Sequence, residues 1–135
     1  MRGILIKPSP VLGARGEGAV TLAEIVFTKK KLAEKYGVEG KVAGRYVEAG
    51  YSVKMKFPTP KGTVSFVAKK ESTILAVDVI YGSVNVGRSM VETIAEKARS
   101  INAKPILVLY GSGPVLLDDA KTAARELGVE IRRVR

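Results

Sequence analysis

The chain contains no cysteine and no histidine. Those two absences exclude a disulfide, a thiol nucleophile, a Cys/His zinc site, a Ser-His-Asp triad and imidazole acid–base catalysis. Any chemistry must use carboxylates, lysine or a bound cation. Tryptophan is absent too, so no indole marks a binding surface. No apolar run approaches the roughly 20 residues of a membrane span, and the opening MRGILIKPSPVLG carries too short an apolar run for a signal peptide. A cytoplasmic location is expected. Acidic residues are scarce: 13 Asp plus Glu stand against 23 Lys plus Arg, a formal net charge of +10. That balance favours polyanionic partners. Nucleic acid leads, DNA ahead of RNA, with an acidic protein or membrane surface behind it. The charge density and the missing cysteine also suit a thermophile.

At 135 residues, 46% hydrophobic and 27% charged, the chain reads as a single soluble globular domain, 1–135. Its organising stretch is FVAKKESTILAVDVIYG, residues 66–82. Two apolar runs, Thr63 to Ala68 and Thr73 to Tyr81, flank the charged turn Lys69-Lys70-Glu71-Ser72. Their β-branched and aromatic residues predict a hairpin whose second strand is buried on both faces, at the sheet's centre. Asp78 interrupts that strand between Val77 and Val79. A carboxylate there is costly unless paired, hydrogen-bonded or metal-bound. It either caps a loop or pairs with a Lys or Arg near the strand's end, or it belongs to a functional site.

Residues 1–18 read as a basic arm or edge strand, with Arg2, Lys7 and Arg15 among prolines and glycines. From 20 to 36, Leu22, Ile25, Val26, Leu32, Ala33 and Tyr36 recur at helical spacing. Thr21 and Glu24 form a capping box and Gly37 a stop. The other side carries Lys29, Lys30, Lys31 and Lys35, a solvated face or a phosphate contact. Val38 to Ala49 predicts a second helix ended by Gly50. The pair is a weak helix-turn-helix signal, because strand and not a third helix follows. SVKMKF, residues 52–57, alternates, which predicts a half-exposed strand with Lys54 and Lys56 outward. A helix at Met90 to Ser100, a buried strand at Pro105 to Tyr110, a helix at Leu116 to Leu127 and a strand at Val129 to Val134 complete an α/β sandwich around a mixed sheet. The Gly82 to Arg88 and Gly111-Ser112-Gly113 loops precede helices as phosphate loops do, but neither carries a full nucleotide fingerprint. Arg132, Arg133 and Arg135 form a basic edge.

YVEAGYSVKMKF followed by GTVSFVAKKESTILAVDV, residues 46–79, resembles the core of the PD-(D/E)XK, or restriction-endonuclease-like, superfamily. It is similar in particular to archaeal Holliday-junction resolvases and Mrr-type nucleases. The tail AKPILVLYGSGPVLLDDAKTAARELGVEIRRV resembles the Mrr-type ending. The resemblance implies a three-layer sandwich with a central mixed sheet flanked by helices, nucleic-acid binding and a homodimer. It also implies an acid on the first hairpin strand, then an acid two residues before a lysine on the second, the acids holding Mg²⁺. Carried over, these positions are Ser65, Asp78 and Ile80. Only the second keeps its chemistry.

The expectation is therefore a nucleic-acid-binding protein on a nuclease-like fold that has lost cleavage. The alternatives are a Mg²⁺-dependent endonuclease with a relocated lysine and a structural subunit of a complex. Asp78, with Lys69 and Lys70, are the candidate catalytic groups; Asp78 and Glu39 are the candidate metal ligands. Lys29, Lys30, Lys31, Lys54, Lys56, Lys69, Lys70 and Arg88 are the candidate nucleic-acid contacts, Arg88 doubling as a relocated cation.

Overall fold

Thr21 opens the first helix with the reciprocal bonds of a capping box. Its Oγ1 accepts the Glu24 N–H at 3.1 Å, and its own N–H donates to Glu24 Oε1 at 2.9 Å. The structure is a computed structural model that describes residues 21–135. The arm or edge strand expected over 1–18 lies outside the described residues. The chain divides into two compact units, residues 1–54 and 55–135.

In the first unit, α1 (Leu22–Tyr36) and α2 (Val38–Glu48) meet at Gly37, whose φ of +61° suits a residue without a Cβ. Their packing depends on glycine. A Cβ at Gly40 would lie 1.9 Å from the Leu32 carbonyl oxygen, and one at Gly44 3.2 Å from Lys29 Cγ. A Lys29–Glu48 ion pair at 3.0 Å spans the same contact. α2 buries Val42, Ala43 and Tyr46. α1 buries none of its residues, and its Leu22, Val26 and Phe27 are exposed.

The five-stranded sheet runs in the order β1 (Ser52–Thr59), β2 (Gly62–Lys70), β3 (Thr73–Tyr81), β5 (Lys104–Tyr110), β7 (Glu130–Val134). The boundary between the units falls within β1. Lys54 and Lys56 face outward on this alternating strand, as expected. β3 is the middle strand, antiparallel to β2 and parallel to β5, which is parallel to β7. The hairpin turn shrinks to Glu71-Ser72, because Lys69 and Lys70 still pair with Ile74 and Thr73. Glu71 takes φ +56°, which fits the backbone twist of a two-residue hairpin loop.

α3 (Arg88–Ser100) and α4 (Asp118–Leu127) connect the parallel strands. Val91, Ile94, Ala95 and Ala98 of α3 and Ala120, Ala123 and Ala124 of α4 join Ala76, Leu107 and Leu109 in one core. Strand alternation sends Leu75, Val77, Val79, Ile106 and Val108 to the opposite face, where they too are buried. The expected α/β architecture around a mixed sheet is the one found. The sequence expectation also differs at the helix starts and in two short strands: α3 begins at Arg88 and not at Met90. Asn85–Val86 and Val115–Leu116 form short parallel strands, β4 and β6, so α4 starts at Asp118 and not at Leu116. Among the described residues no helix is long and apolar enough to cross a membrane.

Candidate functional site

Asp78 lies where the β2–β3 ladder stops being made by backbone alone. Backbone pairing runs from Lys70 opposite Thr73 to Phe66 opposite Val77. At the next rung the side chains take over. The Ser65 N–H donates to Asp78 Oδ1 at 2.9 Å, and the Val79 N–H donates to Ser65 Oγ at 3.1 Å. Ser65 and Asp78 thus satisfy two main-chain donors that the strands leave open. Ser65 is itself buried.

The other oxygen of the carboxylate meets a cation from the helix. Lys97 Nζ lies 3.2 Å from Asp78 Oδ2 and also donates to the Thr63 carbonyl at 2.8 Å. The pair is largely shielded, with side-chain exposures of 15% for Lys97 and 18% for Asp78. α3 aims Lys97 there because 97 sits at the edge of its buried stripe, between Ile94 and Ala98. Gly62 leaves room for the stem: a Cβ there would approach Lys97 Cε to 3.2 Å. Asp78 is therefore neither a loop cap nor isolated; it pairs with a lysine, one of the outcomes expected.

Lys97 is the residue that sequence reasoning missed. Its only signal was a lysine flanking an inward helical stripe, 19 residues from Asp78. Lys69 and Lys70 are exposed at the turn end of β2, four and five residues from Ser65, so roughly 13–17 Å along the strand. Arg88 is held by Glu92 at 3.0 Å and Glu126 at 2.7 Å. Hydrogen bonding to Glu126 and then Glu92 raises its pKa further above its ordinary value. Two carboxylates thus neutralise it locally. Ile80, where the resemblance places a lysine, packs against the core under α3 and α4.

The remaining candidates are placed separately. Lys30 and Lys31 are exposed on α1, Lys31 lying 5.4 Å from the Phe27 ring centroid, while Lys29 is engaged by Glu48. Glu39 is half-buried in the first turn of α2, in the first unit. Among the described residues no three Asp, Glu, His or Cys side chains cluster as a metal site. Asp78 with Ser65 offers one carboxylate whose two oxygens are already engaged, Oδ1 by the Ser65 N–H and Oδ2 by Lys97, so the pair as it stands fits Mg²⁺ poorly.

No family model and no curated protein matches the sequence. Solved structures do. A repair endonuclease from Pyrococcus abyssi superposes with a TM-score of 0.55 at 19% identity, over 87% of this chain and 48% of that one. The EndoMS–dsDNA2 complex gives 0.56 at 15%, over 90% and 49%. Pyrococcus furiosus SfsA in complex with Ca²⁺ gives 0.50 at 17%, over 77% and 56%. The chain spans about half the length of these structures. With its hairpin-centred mixed sheet and helical crossovers, the chain has a restriction-endonuclease-like fold.

Proposed function

We propose that the chain binds nucleic acid, DNA in preference to RNA, on a nuclease-like fold that does not cleave it. Ser65 carries this reading. It stands opposite Asp78, where the fold's nucleases place a metal-binding acid, and its hydroxyl is already committed to the Val79 N–H. The lone carboxylate is compensated from within by Lys97. Site chemistry has become strand architecture. Binding is supported by the net charge of +10 and by exposed lysines such as Lys54, Lys56, Lys69 and Lys70.

The test uses labelled duplex, branched and single-stranded DNA, with Mg²⁺ or Mn²⁺ against EDTA, scoring binding and cleavage together. Contact with about five phosphates would lower affinity some hundreds-fold between about 50 and 200 mM salt. No binding at low salt, or binding indifferent to salt, would overturn the reading. One observation favours a second reading, an endonuclease whose lysine has moved: Lys97 Nζ sits 3.2 Å from Asp78. Metal-dependent cleavage lost in both Asp78→Asn and Lys97→Met, with folding intact, would establish it.

A further inference from the structure

Strands β3, β5 and β7 are parallel, and their carboxyl ends converge on loops. Ligands of open α/β sheets collect at such ends. Here the rim holds a shallow, open groove of about 510 Å³ lined by Ser112, Pro114, Leu116, Lys121, Arg133 and Arg135.

Arg133 gives the groove its character. Its Nη1 donates to the Gly111 carbonyl at 2.7 Å and its Nη2 to the Pro114 carbonyl at 2.8 Å. Both partners are neutral, so the guanidinium is fixed in place with no carboxylate against it, and about three of its five N–H groups are left over. The loop it grips is fixed elsewhere too. The Gly111 N–H bonds the Val134 carbonyl at 2.6 Å, the Val115 N–H bonds the Val84 carbonyl at 2.8 Å, and Gly113 packs directly on the Gly82 backbone. Opposite stands Lys121. Among the described residues its ion-pair partner is Asp118, 3.7 Å away and wholly exposed, a contact of the kind that contributes little. Arg132, by contrast, is engaged by Glu130. The lining thus offers a rigid guanidinium, an adaptable ammonium and a hydroxyl beside apolar Val115, which is half exposed.

We infer that this groove binds a nucleoside phosphate, the phosphate between Arg133 and Lys121 and the apolar part against Val115 and Leu116. Two sources carry that chemistry: a free mononucleotide and the phosphorylated end of a nucleic-acid strand. The inference does not depend on the site around Asp78, and only its strand-end form rests on the nucleic-acid reading above.

The test is titration calorimetry of the whole chain with inorganic phosphate, AMP, and one oligodeoxynucleotide carrying either a 5′-phosphate or a 5′-hydroxyl. The same titrations follow with Lys121→Gln and Arg133→Gln. Lys121 is exposed with a single weak ion pair, so Lys121→Gln keeps the fold even if Arg133→Gln loosens the loop. AMP binding tighter than inorganic phosphate, weakened about three- to tenfold by Lys121→Gln, is the expected result. Preference for the 5′-phosphorylated strand with no AMP binding would assign the strand end instead. Failure of every phosphate probe, or binding unchanged in both variants, overturns the inference. Equal binding of both oligonucleotides with no response to AMP would do so while leaving nucleic-acid binding standing.

Discussion

Breaking the Lys97–Asp78 pair should cost far more than breaking any surface ion pair of this chain, and the two residues should be strongly coupled. At 3.2 Å and an effective dielectric of about 20, the charges attract by roughly 5 kcal/mol. Desolvation of two shielded side chains takes back a large part of that. Lys97 also donates to the Thr63 carbonyl, and Asp78 also accepts the Ser65 N–H. Lys97→Met leaves a shielded carboxylate facing a methyl group, and should destabilise by about 3 kcal/mol. Asp78→Asn keeps an acceptor for the Ser65 N–H but turns the lysine into an unmatched charge, at about 2–3 kcal/mol. In the double variant neither charge remains, so its loss should fall short of the sum by about 2 kcal/mol. Urea unfolding of the four proteins measures the cycle; in thermal melts each kcal/mol is worth about 4 °C. Additivity within about 0.5 kcal/mol would refute the pairing.

Ser65→Ala should destabilise by about 1–3 kcal/mol, because the Val79 N–H loses its buried partner; a loss under about 0.5 kcal/mol in urea would show that the bond is dispensable. Ser65→Asp places a second carboxylate beside the first, and Mg²⁺ or Mn²⁺ should then raise the melting temperature of the variant and not of the parent; equal responses would count against Ser65 as the missing ligand position. Gly113→Ala would bring its Cβ to 2.5 Å from the Gly82 carbonyl oxygen and should cost about 1–3 kcal/mol, a penalty visible as a lower urea midpoint. Glu130 has its pKa lowered, first by hydrogen bonding from Arg132 and then from Lys104. A depressed carboxylate contributes stability above its unfolded pKa near 4.5, which is lost as pH falls through the lower folded value. Glu130→Gln should therefore flatten the acid limb of a stability–pH profile below about pH 5, by a few tenths of a kcal/mol for so accessible a pair; an unchanged limb would contradict the assignment.

Local signals were legible wherever a few adjacent residues decide the structure. Thr21 with Glu24, Gly37 as a stop, the hairpin, and β3 as the central strand all follow from short-range chemistry. The two-residue strands β4 and β6 were not legible, since two residues carry no period and their pairing depends on loops meeting at Gly82 and Gly113. The apolar stripe of α1 showed helix but not burial; α2 meets α1 through Gly40 and Gly44, which no hydrophobicity pattern marks. Asp78 stood out because a carboxylate in an apolar strand needs a partner. Which partner could not be read, because Lys97 arrives from α3 by tertiary packing. Chain proximity pointed to Lys69 and Lys70, which the hairpin register keeps at the turn.

The departures from the nuclease pattern make one coherent local structure. Ile80 lies two residues after Asp78 on the same face of β3, packed against the core beneath α3 and α4. A lysine there would have to take its charge out of an apolar contact, whereas from the rim of α3 Lys97 keeps its stem against the fold and its ammonium on the carboxylate. Ser65 then completes the rung. A second carboxylate at 65 would crowd Asp78 with like charge, whereas a hydroxyl accepts the Val79 N–H without adding charge. Ser65, Asp78 and Lys97 thus tie the β2–β3 rung through side chains, with Ile80 packed against the core beside them. Gain of a metal response on Ser65→Asp, with Lys97 retained, is the outcome the proposed loss of a metal ligand at 65 requires.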